Sequence, residues 1–278
     1  MPAVTTAKIP SLGRSTGMRI FWYRVLFGLA VMAFWEYSAD RLISSFWVSS
    51  PSRIGRYLLE VILDGSIFDH LQITLVETLI GYVVGASVGV ATGFLLARIE
   101  TVAMVLDPYI IAFYGIPRIA LAPLFIIWFG IGMLSKVILV ITVVFFLTFF
   151  NTYSGVKGVD PELKNILRVM GAREYQIMMK ITVPSTVPWI MAGLKISVPY
   201  ALVGAVVGEF IAASKGLGYL IQYNSNLFNT TGAMAGIIIL AVIVVVGNEI
   251  INRVENYILR WRPREKPEPT EEERPELF

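Results

Sequence analysis

The 278-residue chain has no cysteine, a single histidine (His70) and little charge: Asp, Glu, Lys and Arg make up 15% of it against 56% hydrophobic residues. Without cysteine there are no disulfide staples, no thiolate nucleophiles and no cysteine-held metals or iron–sulfur clusters, and one imidazole cannot build a multi-histidine metal centre. The shortage of charge excludes a soluble enzyme. An ordinary soluble domain is about 25% charged and roughly 45–50% apolar, and so few ionic groups cannot cover a water-facing surface of this size. No G-x-x-x-x-G-K-[ST] run occurs, so the chain does not bind ATP in the P-loop manner. Ser154 and Ser197 lack a histidine or acid at triad spacing, which leaves no nucleophile–base pair. No cofactor is expected. The formal net charge of +3 does not point to nucleic acid either, because the basic residues are sorted by position, as a membrane protein sorts them.

What the chain has instead is long apolar runs. A helix needs about 20 such residues to cross a hydrocarbon layer, and six stretches qualify: about 20–37, 71–97, 103–129 with proline breaks at Pro108 and Pro117, 137–151, 185–212 and 235–251. Backbone polar groups in lipid must be satisfied within their own segment, so each is predicted helical. The fold class is therefore all-α, a polytopic membrane protein with six transmembrane helices. Residues 1–19 form an N-terminal segment, 20–257 the transmembrane domain, and 258–278 a disordered tail, since 262–278 hold four prolines and six glutamates.

The largest interior polar insertion is 157–183. With the N-terminus inside, sixteen of the 23 basic residues fall on inner segments and four (Arg41, Arg53, Arg56, Lys215) on outer ones. That asymmetry puts both termini and the insertion in the cytoplasm and the chain in the plasma (inner) membrane. The first span is expected to be retained rather than cleaved, because Glu36 and Asp40 stand where a small-residue cleavage site would be needed. In the outer connection after it, Ile54–Leu63 has the pattern of a surface-lying amphipathic helix.

In the second span Gly81, Gly85, Gly89 and Gly93 recur every fourth residue, with Ala97 continuing the row. Gly204, Gly208 and Ala212 do the same in the fifth. Such rows let helices approach closely in lipid, either as static packing or as a surface for sliding.

In the insertion, Asp160 suits an N-cap, Pro161 the first helical position and Glu162 the helix dipole. Leu163, Ile166, Leu167 and Met170 share one face, Gly171 ends the helix, and a second short helix is predicted from Glu174 to about Ile181, stopped by Pro184. Asn165-Ile166-Leu167, three residues, Gly171, nine residues, Ile181, one residue, Val183 and Pro184 reproduce the spacing of the cytoplasmic loop of binding-protein-dependent ABC importer permeases, whose pattern is EAA-x3-G-x9-I-x-L-P. The chain resembles that family, also through IPRIALAPLFIIWFGIG (116–132), FFNT (149–152) and GEFIAASKGLGYLI (208–221), over roughly residues 50–255. The EAA triplet is replaced here by bulkier Asn-Ile-Leu, and the Leu before the proline by Val183. These motifs look like those of the nitrate, sulfonate, taurine and bicarbonate branch, some members of which serve pyrimidine vitamin precursors.

The resemblance implies a type I ABC importer permease fold and a non-enzymatic permease subunit whose loop docks on a separate ATPase. It implies two ATPase subunits, a second permease copy and a periplasmic solute-binding protein as partners, with Glu162, Arg168, Gly171, Ala172 and Arg173 at the ATPase contact. Ionisable residues inside spans are costly and so are functional suspects. Arg118, after Pro117, either presents a cation to a passing anion or snorkels to the interface. Glu209 is expected to be a gate or a packing hydrogen-bond partner rather than an anion ligand, and Glu77 an interfacial or paired charge. Tyr114, Trp128, Asn151 and Tyr200 are further path candidates, with lipid-belt or core packing as the alternative for Tyr114 and Trp128. The expected cargo is a small solute, an oxyanion or alternatively a pyrimidine. An ion-coupled carrier or a membrane-embedded enzyme would be the rival classes, and the spans lack the paired carboxylates or clustered catalytic groups these require.

Overall fold

A computed structural model describes residues 14–42, 44 and 46–261; of the tail expected to be disordered over 258–278, Ile258 instead closes α11, and the residues from 262 on lie outside that range. The helices are α1 (Arg14–Ser38), α2 (Pro51–Leu63), α3 (Ser66–Arg98), α4 (Glu100–Gly115), α5 (Ala122–Phe129), α6 (Met133–Lys157), α7 (Pro161–Val169), α8 (Glu174–Ile177), α9 (Val183–Ala212), α10 (Leu217–Asn226) and α11 (Thr230–Ile258). A 3₁₀ turn, Arg118–Leu121, precedes α5, and a π-helical turn, Met178–Thr182, joins α8 to α9. Among the described residues, five helical stretches are long and apolar enough to cross a membrane, and the bent pair around Pro117 makes a sixth.

The chain divides into two compact units. One comprises the residues up to Gly65 with Tyr223–Ala235; the other comprises Ser66–Gln222 and the residues from Gly236. In the first unit α1 leads into α2 through polar ties. The Glu36 carboxylate accepts the Ser52 N–H (2.9 Å) and hydroxyl (2.6 Å), Asp40 pairs with Arg53, and the Trp35 indole donates to the Ser49 carbonyl (2.9 Å). Ser50 caps α2 and Ile54 anchors its buried side, as the amphipathic pattern requires.

The second unit is organised by α3, α6 and α9. The glycine row of α3 lies directly on the backbone of α6. A Cβ on Gly85 would sit 2.8 Å from the Ile141 carbonyl oxygen, and one on Gly93 2.7 Å from that of Phe149. Gly81 faces Val140 while Gly93 faces Phe149 and Thr152, so α3 and α6 run parallel. Gly208 faces Lys136 and Gly193 faces Asn151, so α9 runs antiparallel to both. Ala86, Val140, Val144, Ala201 and Ala205 close the core between the three.

Parallel neighbours in sequence need a return crossing. Arg98 ends α3 at one end of the bundle and Met133 starts α6 at the other, so residues 99–132 must traverse its length. They do so as a broken span: α4 and the 3₁₀ turn with α5 meet at an 81° bend. The expectation of two proline breaks is corrected in one respect. Pro117 marks the bend, but α4 continues through Pro108, because a single proline forfeits one helical hydrogen bond and is accommodated where neighbouring turns re-satisfy the backbone.

A second correction concerns Pro184. The helix beginning at Glu174 does not stop there; it runs unbroken to Ala212 over 39 residues. The π-turn explains this. The Val183 N–H bonds back to the Met178 carbonyl, five residues earlier, and Pro184 then occupies the first turn of α9, where its missing N–H costs little.

Candidate functional site

The insertion folds as its sequence pattern requires. The Asp160 carboxylate accepts the Glu162 N–H at 2.7 Å, Pro161 opens α7, and Gly171 at φ +80° ends it. The Ala172 N–H reaches the Leu167 carbonyl and the Gly171 N–H that of Arg168, both at 2.9 Å. This is a glycine-terminated helix end whose orphan carbonyls are satisfied by the reversing chain. α7 buries none of its residues: Ile166 is 56%, Met170 75% and Val169 89% exposed. Glu162 and Arg173 are also exposed, while Ala172 is half-buried. Arg168 turns inward along the loop, binding the Glu174 carboxylate through Nε (2.7 Å) and Nη2 (3.3 Å) and Asn165 Oδ1 through Nη1 (3.1 Å). The carboxylate in turn holds the guanidinium's pKa above its ordinary value.

The second constellation is the elbow of the broken span. Arg118 lies over the Tyr114 ring at 4.7 Å and the Phe146 ring at 4.9 Å, and its Nη2 donates to the Tyr114 carbonyl at 3.1 Å. Tyr114 packs edge-on against Phe150 at 4.7 Å. A guanidinium between two aromatic faces keeps its charge while shedding part of its water. Asn151 follows Phe150 on α6, its amide donating to the Leu147 carbonyl at 2.8 Å and its Cβ facing Gly193 of α9. Of the six path candidates, Tyr114 and Arg118 are thus in direct contact. Trp128 stays with Phe125 and Phe129 on α5, and Tyr200 is exposed on α9.

Glu209 belongs to a third constellation. It is 1% exposed, its Oε1 accepting the Thr74 hydroxyl at 2.6 Å and its Oε2 the Gly218 N–H at 2.6 Å. Thr74 Oγ1 accepts the Leu217 N–H at 2.8 Å, and His70 Nδ1 lies 3.1 Å from Gly216 N. Gly216 has φ +124°, and any side chain there would enter the Glu209 carboxylate. Beside this knot Glu77, also 1% exposed, pairs with buried Lys136 of α6. Glu77 is therefore a paired charge, and Glu209 makes packing hydrogen bonds. Their partners Thr74 and Lys136, and His70 on Gly216, were not singled out from sequence as belonging together. The one available signal was the G-x-G of GEFIAASKGLGYLI, which brings two side-chain-free positions near a glutamate.

The comparisons with known proteins decide the family. A family profile described as "Binding-protein-dependent transport system inner membrane component" matches residues 67–262. The chain belongs to that family. Among curated relatives of this permease family, the formylaminopyrimidine transport permease protein ThiX of Halalkalibacterium halodurans is 35% identical over 240 residues, spanning 86% of this chain and 96% of the relative. A Bacillus subtilis relative named for transport of aliphatic sulfonates, SsuC, is 32% identical over 88% of this chain and 89% of its own length. The taurine transport system permease protein TauC of Escherichia coli is 29% identical over 77% and 81%. Among solved structures, the inward-facing MetNI methionine ABC transporter superposes with TM-score 0.57 at 18% identity, covering 72% of this chain and 97% of that one. The fold is that of the ABC importer permeases, and the chain is a multi-pass membrane protein.

Proposed function

We propose that this chain is the translocating subunit of an ATP-driven importer and that α7 with Gly171 is its contact with a separate ATPase. The observation that carries this reading is the outward apolar face of α7, with Leu163, Ile166, Val169 and Met170 all exposed on a helix beyond the common end of α3, α6 and α9. An apolar face held off its own bundle needs a partner, and a helix ended by a single glycine can move as a rigid piece. Glu162, Arg168, Gly171, Ala172 and Arg173 form or shape this contact. One such loop per chain matches two ATPase subunits below two permease copies, with a solute-binding protein on the opposite face. The Lys and Arg distribution supports a cytoplasmic loop and cytoplasmic termini. So does the course of α11, which runs antiparallel to α9, with Gly247 beside Val198 and Glu255 paired with Lys195, towards the loop's end of the bundle. Co-purification of the ATPase with a Gly171→Leu variant tests the reading: loss of the ATPase from a folded permease is expected, and unchanged assembly and transport would refute it.

The solute is a small oxyanion such as a sulfonate, taurine, nitrate or bicarbonate. Supporting this, Arg118 is a cation at the elbow of a broken span, where such breaks in other transporters line substrate paths. Trp128, Asn151 and Tyr200 are further path candidates, while the buried, fully bonded Glu209 holds the helices together. A second reading, a pyrimidine precursor, draws on the Tyr114 and Phe146 rings flanking Arg118, against which a flat heterocycle can stack, and on the likeness to ThiX. Uptake of taurine and of formylaminopyrimidine by the reconstituted importer separates the two, and Arg118→Gln should abolish most anion uptake. Uptake that survives loss of the ATPase and collapses with an uncoupler would instead make the chain an ion-driven carrier.

A further inference from the structure

A cleft of about 450 Å³ lies where the C-terminal ends of α3 and α6 meet α7, α8 and the π-turn. This is within the range of about 300–1,000 Å³ typical of small-molecule sites. Among the described residues that line it are Arg98 of α3, Lys164 and Arg168 of α7 and the carboxylate of Glu174. That carboxylate is already bound through two nitrogens of Arg168, and it also lies within electrostatic reach of Arg98 and Lys164. Val156 and Ile177, both buried, also line it. The cleft is thus lined by several cations, and it sits at the end of candidate membrane spans, the depth at which headgroups begin.

We propose that this cleft binds a phosphate group. The chemistry that fits is a dianionic or diester phosphate held by Arg98 and Lys164, carried either by an anionic phospholipid of the adjoining leaflet or by a free phosphate. Basic pockets between span ends are the setting in which headgroup phosphates bind. Occupancy ties Lys164 on α7 to Arg98 on the spans, so the bound phosphate stiffens the joint between α7 and the bundle. The proposal rests on the membrane reading of these helices and is independent of the solute.

The test uses the full-length chain in nanodiscs, with lipid retention read by native mass spectrometry and amide-exchange protection followed over residues 157–182. One arm adds phosphatidylglycerol to phosphatidylcholine discs; the other titrates inorganic phosphate into phosphatidylcholine discs. Retained phosphatidylglycerol that phosphate does not displace identifies a lipid headgroup. Saturable protection by phosphate identifies a free phosphate. In either case the Arg98→Gln/Lys164→Gln variant should bind about tenfold or more weakly, while Lys180→Gln, whose side chain does not line the cleft, should bind as the wild type does. The proposal is overturned if neither anion protects the segment, if Lys180→Gln loses as much as the double variant, or if protection appears only when the ATPase is bound, which would make the occupant a side chain of that subunit. Because binding and not uptake is read, such a failure leaves the importer reading standing.

Discussion

At the α3 start, α6 start and α9 end, the ionic groups Glu77, Lys136 and Glu209 are almost wholly buried and each has a partner fixed within the bundle. At the opposite end, Arg98, Lys157, Arg168 and Glu174 are exposed around an open cleft. α3 and α6 supply charges to both ends, so the difference lies in what closes over the charges. At the first end Gly216, Leu217 and Gly218 return across the bundle and deliver backbone N–H groups to His70, Thr74 and Glu209. At the second the chain leaves as α7, whose apolar side remains uncovered. One end is a clamp that holds the helices in register; the other is a surface made for something outside the chain.

The largest effect should come from opening the clamp. Lys136→Ala leaves Glu77 buried without its counter-charge, and breaking a buried pair from one side costs about 3–5 kcal/mol, enough to strip most folded protein from a detergent extract. Adding Glu77→Leu to Lys136→Leu should recover much of that loss, since apolar replacement of both partners is often neutral. Thermal unfolding followed by size-exclusion chromatography measures both. If Arg168→Ala were as damaging as Lys136→Ala, the contrast between the two ends would fail, because the Arg168–Glu174 pair is exposed and water screens it.

A second break lies between the ends, along the glycine row. Gly85→Ala puts a methyl 2.8 Å from the Ile141 carbonyl oxygen and 3.1 Å from its Cα. The α3 and α6 backbones must then separate, at an overpacking cost of about 1–3 kcal/mol. Gly28→Ala on α1, where nothing lies within 4 Å, should leave the unfolding midpoint unchanged.

How much of this contrast sequence reveals depends on how local its causes are. The bounds of α7 were legible: Asp160, Pro161 and Gly171 act within one turn of the residues they cap, and the structure has each in its expected role. The glycine row was legible as a helix contact because four residues at one spacing have one physical use, although nothing in it named α6 as the partner. The clamp was not legible. Thr74 and Glu209 are 135 residues apart, and no pattern along the chain ties a hydroxyl on one span to a carboxylate on another. Pro184 misled for a related reason: a proline ends a helix only when the preceding turns are α-helical, and the wider π-turn before it removes the conflict. Pro108 and Pro117 share one apolar run, and only the second bends it, a choice made by the packing of the return crossing and not by either proline alone.

At the open end the effects on stability should be small while those on assembly are large. Gly171→Ala forces a side chain into φ +80°, about 1–2 kcal/mol, and because nothing lies within 4 Å of the site the strain stays in the loop. The unfolding midpoint of the spans should move less than with Gly85→Ala, yet α7 should be re-aimed and the ATPase should co-purify poorly.

The smallest effect on the fold is expected from Val169→Asp, and it is the most informative. Val169 is 89% exposed at the last turn of α7 and supports no neighbour in its own chain. Placing a carboxylate there removes no buried area and leaves no polar group unsatisfied, so the purified chain should unfold at the wild-type temperature. If α7 is a docking face, the same change puts a charge in the middle of an apolar contact, where it must be desolvated without a partner. The ATPase should then fail to co-purify and ATP-dependent uptake should be lost from a permease that is otherwise intact. A variant that retains both would mean that the exposed apolar side of α7 faces lipid or solvent and not a partner, and the two ends of the bundle would differ only in how well they are covered.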